Sequence, residues 1–325
     1  VTHHFTRLAD DVLGGKALTD DDVRAIACAA AEDAACLHAE AVRIKEHTFG
    51  KAVGLCSIIN AKSGRCGEDC RFCAQSAHHG VNSPEYPFVG AQRILEAARA
   101  MQAAGASRFS IVTSGKGLSE ADFDEMLRAV RGICDLGLRA DASVGILTAA
   151  QLTALRDAGL SGYHHNLETA RSFFPSICTT HSYDEDVQTV RDAVDAGLMV
   201  CCGGLFGMGE TWEQRAELAR TLADLGVHSV PVNFLHPIPG TPLASRPLLS
   251  AGEAAGIIAL LRFMLPSKHI RICGGRPAVF GADRMRPLLC GASGLMIGDY
   301  LTVQGNDVAA DRADMDALGL LPEPA

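Results

Sequence analysis

Cys66, Cys70 and Cys73 crowd into eight residues, in the run Ser63-Gly64-Arg65-Cys66-Gly67-Glu68-Asp69-Cys70-Arg71-Phe72-Cys73-Ala74-Gln75-Ser76. With this Cys-x3-Cys-x2-Cys spacing, three thiolates can wrap one corner of an iron–sulfur cubane and leave the fourth iron without a protein ligand. An open metal position is where a reactant binds. The reactant it suits is the amino-acid end of S-adenosylmethionine (AdoMet), whose amine and carboxylate can chelate that iron. A zinc site is the alternative, with His78 or His79 as fourth ligand, although zinc sites usually carry paired Cys-x2-Cys units.

The surrounding chain has 325 residues, 48% hydrophobic and 21% charged, with a net charge of −9 and a pI near 5.7. This acidic balance argues against a nucleic-acid scaffold and against a general affinity for anionic membranes. No apolar run approaches the roughly 18 residues of a membrane span, and the first ten residues lack the pattern of a signal peptide. A cytoplasmic protein is expected. Twelve cysteines in a long chain then fit metal-bound thiolates in a reducing compartment better than a disulfide framework.

Residues 1–45 read as a helical extension, in which Asp20-Asp21-Asp22 opens a helix and the alanine-rich run 23–42 continues it. Residues 46–325 read as an α/β domain. Short apolar runs at 53–60, 108–115, 138–146, 162–169, 198–207, 229–238, 269–275 and 294–299 predict strands. Amphipathic segments lie between most of them, among them 91–104, 120–136, 183–196, 211–225 and 251–264. Eight strands alternating with helices predict a (β/α)8 TIM-type barrel, whose chemistry sits at the C-terminal ends of its strands. The acidic tail after Asn306 reads as a short peripheral extension.

Cys66, Cys70 and Cys73, with Phe72 before the last cysteine, resemble the signature of the radical AdoMet superfamily. Four further stretches are similar, in the same order, to the biotin synthase family: Asn60-Ala61-Lys62-Ser63-Gly64, Tyr163-His164-His165-Asn166-Leu167-Glu168-Thr169, Gly203-Gly204-Leu205-Phe206-Gly207-Met208-Gly209-Glu210 and Asn233-Phe234-Leu235-His236-Pro237-Ile238-Pro239-Gly240-Thr241-Pro242-Leu243. The resemblance implies a homodimeric barrel enzyme, a sulfurtransferase of biotin biosynthesis. Such an enzyme cleaves AdoMet to a 5′-deoxyadenosyl radical, removes hydrogen from two carbons of dethiobiotin and inserts sulfur. It implies a [4Fe–4S] cluster with AdoMet at Cys66, Cys70 and Cys73, an electron donor such as flavodoxin or ferredoxin, and iron–sulfur assembly machinery as a partner.

By the same resemblance Phe72 lies near the adenine, Glu168 holds the ribose hydroxyls and Leu205 belongs to the cofactor set. Asn166 and Asn233 surround cofactor and substrate, Arg271 faces the substrate, and His181 takes a basic position that pairs with the AdoMet carboxylate. The residue types suit these tasks. A carboxylate can accept from two vicinal hydroxyls, and a buried amide can donate and accept toward a ureido ring. The plainer alternative is that an Asn or Glu at a strand end caps a helix. Gly203, Gly204 and Gly207 either admit a ligand close to the backbone or mark a bulge. His164-His165 is no obvious metal pair, since adjacent strand residues face opposite ways.

Many biotin synthases hold a second, [2Fe–2S] cluster deep in the barrel on three cysteines and an arginine. Two of those cysteine positions are Ser110 and Asp141 here, the third is Cys201, and the arginine matches Arg271. A single thiolate makes a poor cluster site. Other cysteines offer themselves. Arg271 and Cys273, two apart on one strand, share a face, whereas Cys201 and Cys202 do not. Cys56, Cys201 and Cys273 are therefore expected to converge on an auxiliary iron–sulfur cluster, with Cys178, Cys202 or Cys290 completing the set. The alternative for each is a small buried hydrophobe, the reading that Cys28, Cys36 and Cys134 receive on predicted helices. Two other functions stay open: a radical AdoMet enzyme of maturase or mutase type, and a non-catalytic metal-binding protein.

Overall fold

Three helices, α1 (Thr2–Leu13), α2 (Asp20–Ala31) and α3 (Ala35–Phe49), open the computed structural model, which describes residues 2–301, 305 and 307–323. Thr19 caps α2 reciprocally, its side chain accepting from the Asp22 N–H while the Asp22 carboxylate accepts from the Thr19 N–H at 2.8 Å. The alanine-rich run is not one helix. It breaks at Asp33, which takes φ 52°, a conformation that Asp tolerates better than most residues.

The barrel strands are β1 (Ala52–Lys62), β2 (Arg108–Thr113), β3 (Arg139–Ser143), β4 (Gly162–His164), β5 (Met199–Cys201), β6 (Gly204–Phe206), β7 (Ser229–Phe234), β8 (His269–Ile272) and β9 (Gly294–Met296). All neighbours pair in parallel, and β1 pairs with both β2 and β9, which closes the ring. The closed (β/α)8 barrel is present. Its fifth stave, which reads as one strand in sequence, is in two pieces: β5 pairs with β4 and β6 with β7. The break falls at Cys202-Gly203, where a Cβ on Gly203 would lie 2.0 Å from the Pro231 carbonyl oxygen. Only glycine permits that approach.

Outside the strands lie α4 (Gly90–Ala103), α5 (Glu120–Asp135), α6 (Ala149–Asp157), α7 (Tyr183–Asp195), α8 (Trp212–Asp224) and α9 (Ala251–Met264). Ser119, Thr148, Ser182, Thr211 and Ser250 cap the last five, each side chain accepting a first-turn N–H. Alternate strand residues such as Phe109, Ile111, Ala140, Val200, Val230 and Ile270 point outward and pack on Val130, Leu155, Val190, Leu222 and Ile258 of these helices. The N-terminal helices bury Phe5, Ile26, Leu37 and Ile44 against Leu260 and Phe263 of α9. Among the described residues no helix is long and apolar enough to cross a membrane.

The C-terminal tail is not peripheral. Beyond α10 (Arg276–Phe280), α11 (Val308–Ala317) places Asp311 in an ion pair with Arg276 in which both side chains are fully buried. A buried guanidinium needs such a partner. A further strand, β10 (Leu321–Pro322), then pairs in parallel with the start of β1. Asn306, where the predicted tail begins, lies outside the described residues.

Candidate active site

β1 runs out at the C-terminal rim into the cysteine loop. Gln75 Oε1 gathers this loop, accepting from the Ser63 hydroxyl at 3.0 Å and the Gly64 N–H at 3.1 Å. The Cys66 N–H donates to Gln75 O at 2.9 Å, the Ala77 N–H to Cys66 O at 2.8 Å and the Cys73 N–H to Cys70 O at 2.9 Å. Burial pushes the Cys73 thiol up to about 11, and the neighbouring Cys66 and Glu168 act in the same direction. Cys70 is pushed up further, first by a hydrogen bond with Cys178 and then by burial. Crowded thiols that hold their protons are a donor set that a cation relieves, which fits an iron cluster. His78 and His79 aim Nε2 at the carbonyl oxygens of Gly67 (2.9 Å) and Cys70 (3.0 Å). A carbonyl only accepts, so those nitrogens carry protons and do not face a metal.

Inside the barrel lies a cavity of about 610 Å³. Phe72, Asn166, Glu168, Leu205 and Asn233 line it toward the rim. Glu168 sits just past β4 at φ 60°, with Asn166 Nδ2 at 3.3 and 3.4 Å from its two carboxylate oxygens. Burial pushes the Glu168 carboxyl up to about 7, against the pull of that amide and of His164. Asn166 Oδ1 accepts from the Gly203 N–H at 3.2 Å and Asn233 Oδ1 from the Gly274 N–H at 2.9 Å. Each amide thus ties neighbouring staves together while lining the cavity. Phe72 packs with Ile177, Leu205, Met208, Leu235 and Leu243 as an apolar wall at the mouth.

Deeper in the same cavity stand Cys56, Cys201 and Cys273, with Arg108, Ser110, Asp141 and Arg271. The nearness of the two thiols draws Cys56 down and pushes Cys273 up. Burial pushes Cys201 up to about 11. Asp141 accepts from Arg108 Nε at 2.7 Å and Nη2 at 2.5 Å. Arg271 Nε donates to Ser229 Oγ at 3.0 Å, and its Nη2 lies 3.7 Å from Glu323, just beyond β10. A Cβ on Gly54 would fall 2.5 Å from Arg271 Nη1 and 2.8 Å from Glu323 Oε2, so glycine there makes room for the guanidinium. Among the described residues, Arg271 Nη1 and Ser110 Oγ are buried without a hydrogen-bond partner. Two unspent polar groups beside three thiols fit a sulfide-rich inorganic cluster.

The structure therefore brings Cys56, Cys201 and Cys273 to one cavity, and it does not bring Cys178, Cys202 or Cys290 there. Cys202 faces the packing between barrel and helices, as does Cys290 at the end of a short helical turn (Arg286–Cys290). Cys178 lies at the mouth, its sulfur 3.8 Å from that of Cys70. His181 does not line the cavity. Its ring meets Asp186 Oδ2 at 3.2 Å and Glu68 Oε2 at 2.5 Å. The bond to Asp186 foremost, then those to Cys178 and Glu68, push it up to about 11. His164 faces the cavity while His165 turns away to Asp186 at 2.8 Å, the opposite-face arrangement expected of neighbours on a strand. Sequence reasoning did not single out Arg108. Its signal was a charge two residues before Ser110 on a strand, in the inward register.

A closed barrel with a three-cysteine loop at its mouth defines a radical AdoMet enzyme, and the Radical SAM superfamily model matches residues 61–222. The model of the Biotin and Thiamin Synthesis associated domain matches residues 231–321. Methylornithine synthase has the same fold, with a TM-score of 0.84 at 22% identity, covering 98% of this chain and 97% of that one. So has the FeFe-hydrogenase maturase of Carboxydothermus hydrogenoformans, with a TM-score of 0.81 at 18% identity, over 99% and 79%. The biotin synthase of Geobacter metallireducens is 48% identical over 306 residues, 94% of this chain and 93% of its own length. That of Syntrophus aciditrophicus is 50% identical over 281 residues, 86% of each. The chain belongs to the biotin synthase family. With that membership come the superfamily's [4Fe–4S] cluster and AdoMet.

Proposed function

We propose that this chain is the sulfurtransferase that converts dethiobiotin to biotin, with the AdoMet cluster on Cys66, Cys70 and Cys73 and an auxiliary iron–sulfur cluster on Cys56, Cys201 and Cys273. The observation that carries the reading is a single cavity that runs from Phe72, Asn166 and Glu168 at the rim to three thiols at depth. When bound, the first cluster supplies the electron that cleaves AdoMet, and the second supplies sulfur. The protein's own residues do the positioning. Ionised Glu168 accepts from the two ribose hydroxyls, and Asn166 holds its carboxylate in place. Phe72 and Leu205 cover the adenine. Asn233 offers its amide N–H to the ureido carbonyl, and Arg271 lines the deep end of the cavity beside the auxiliary cluster. His181, tied to Glu68 and Asp186, orders the cysteine loop rather than touching AdoMet. The closed staves keep water from the reacting carbon.

The reading includes a donor of flavodoxin or ferredoxin type, iron–sulfur assembly machinery that restores sulfide, a homodimer and a cytoplasmic location. It takes residues 1–45 as a helical extension and 46–325 as the catalytic barrel with its short tail. The test is a product assay. Anaerobically reconstituted protein given AdoMet, dethiobiotin and a strong reductant is expected to release biotin together with 5′-deoxyadenosine. 5′-Deoxyadenosine without biotin would point to an enzyme of maturase or mutase type, and the absence of both would end the reading.

A further inference from the structure

Cys178 has no part in the chemistry above. It is 4% exposed, and its sulfur lies 3.8 Å from that of the partly exposed Cys70. The two segments that carry these thiols are held together by the protein itself. Asp69 Oδ1 accepts from the Thr179 N–H at 2.8 Å and the Thr180 N–H at 3.3 Å, and the Arg71 N–H donates to Ile177 O at 3.0 Å. The pair therefore stays assembled when no metal is bound. Cys73 reaches Cys70 through a backbone hydrogen bond, whereas the sulfur that Cys70 meets is that of Cys178.

We propose that Cys70 and Cys178 close a reversible disulfide when the cluster is lost, so that rebuilding the cluster waits on a thiol reductant. This rests on the reading of Cys66, Cys70 and Cys73 as the cluster loop. The oxidant is a low-molecular-weight disulfide. The more exposed Cys70 attacks it, forming a mixed disulfide, and its proton leaves with the small thiol released. Cys178 then attacks the Cys70 sulfur and releases the second. Two electrons pass from the cysteine pair to the small disulfide, and the two protons end on the two small thiols. With Cys70 so engaged, only Cys66 and Cys73 of the loop remain free, too few to hold the corner of a cubane. A thiol reductant reverses both steps and frees Cys70.

The experiment strips iron from the full-length holoenzyme with a chelator under argon, treats it with glutathione disulfide and maps tryptic peptides. Cleavage after Arg65 and Arg71 separates residues 66–71 from Cys73, and Cys178 is the lone cysteine of residues 172–191. Residues 66–71 should appear linked to 172–191, with fragment ions that assign the bond to Cys70. The link should be absent in Cys178→Ser and Cys178→Ala. Uptake of ferrous iron and sulfide at the loop should be lost in the oxidised wild type and restored by a thiol reductant, and both variants should instead retain glutathione on Cys70 as the unresolved mixed disulfide. A Cys70–Cys73 or Cys66–Cys70 bond with Cys178 free would overturn the proposal, as would undiminished uptake of iron and sulfide by the oxidised wild type. Failure of the loaded enzyme to cleave AdoMet would instead strike the cluster-loop reading, and that assay is run separately.

Discussion

Cys56 on β1 and Cys273 just past β8 come together in one cavity inside the barrel, across the intervening β9. Neither is near the other in sequence, and they meet because both occupy inward positions of their staves. If they hold an auxiliary cluster with Cys201, each of Cys56→Ala, Cys201→Ala and Cys273→Ala should lose that iron alone. For two four-iron clusters, bound iron would fall from about eight to about four per chain. Reductive AdoMet cleavage should persist while biotin formation is lost. Iron and labile-sulfide assays beside a product assay check this.

Cys70→Ala should behave differently, abolishing AdoMet cleavage while leaving the deeper thiols intact. Low-temperature electron paramagnetic resonance of the reduced protein, with and without AdoMet, separates the two patterns. The AdoMet-sensitive signal should vanish in Cys70→Ala and survive in Cys201→Ala.

Glu168 predicts a pH dependence. Burial holds its carboxyl up near 7, so the ionised form that accepts two hydroxyls appears only as the pH rises through that value. AdoMet should bind more tightly at about pH 8 than at about pH 6. Glu168→Gln should weaken binding by about tenfold or more and flatten the profile, since hydrogen bonds to a charged group contribute about 1.5–3 kcal/mol. The sign for stability is the reverse. The native carboxyl binds its proton more tightly than the unfolded one, so this group's contribution to folding declines as pH rises from the ordinary carboxyl range to about 7. Equilibrium dialysis and urea unfolding across that range measure the two effects.

Asp311 predicts how firmly the tail is held. Asp311→Ala leaves the Arg276 guanidinium buried without this carboxylate, and the loss should be about 3–5 kcal/mol. Replacing both residues by apolar side chains of similar volume should recover most of it. Urea unfolding of the single and double variants decides between a docked tail and an appended one.

The staves and helices were legible because their periods are local. Outward Phe109, Ile111 and Val230 alternate with inward Ser110 and Pro231, and Ser or Thr marks the start of most helices. The same parity argument places Cys56, Cys201 and Cys273 inside the barrel. Features set by distant partners were not legible. The break at Cys202-Gly203 is imposed by Pro231 on the next stave, and the tail docks because Arg276 needs a carboxylate. Cys178 and His181 sit in a loop without a period, so their partners Cys70, Glu68 and Asp186 emerge only from the folded chain.

The most direct test follows the sulfur. Protein whose clusters are rebuilt anaerobically with isotopically heavy sulfide is given AdoMet, a strong reductant and dethiobiotin, and the biotin is weighed by mass spectrometry. The account predicts heavy-sulfur biotin from the wild type and none from Cys201→Ala. Biotin free of the heavy label, or continued 5′-deoxyadenosine release with no biotin from fully loaded wild type, would contradict it.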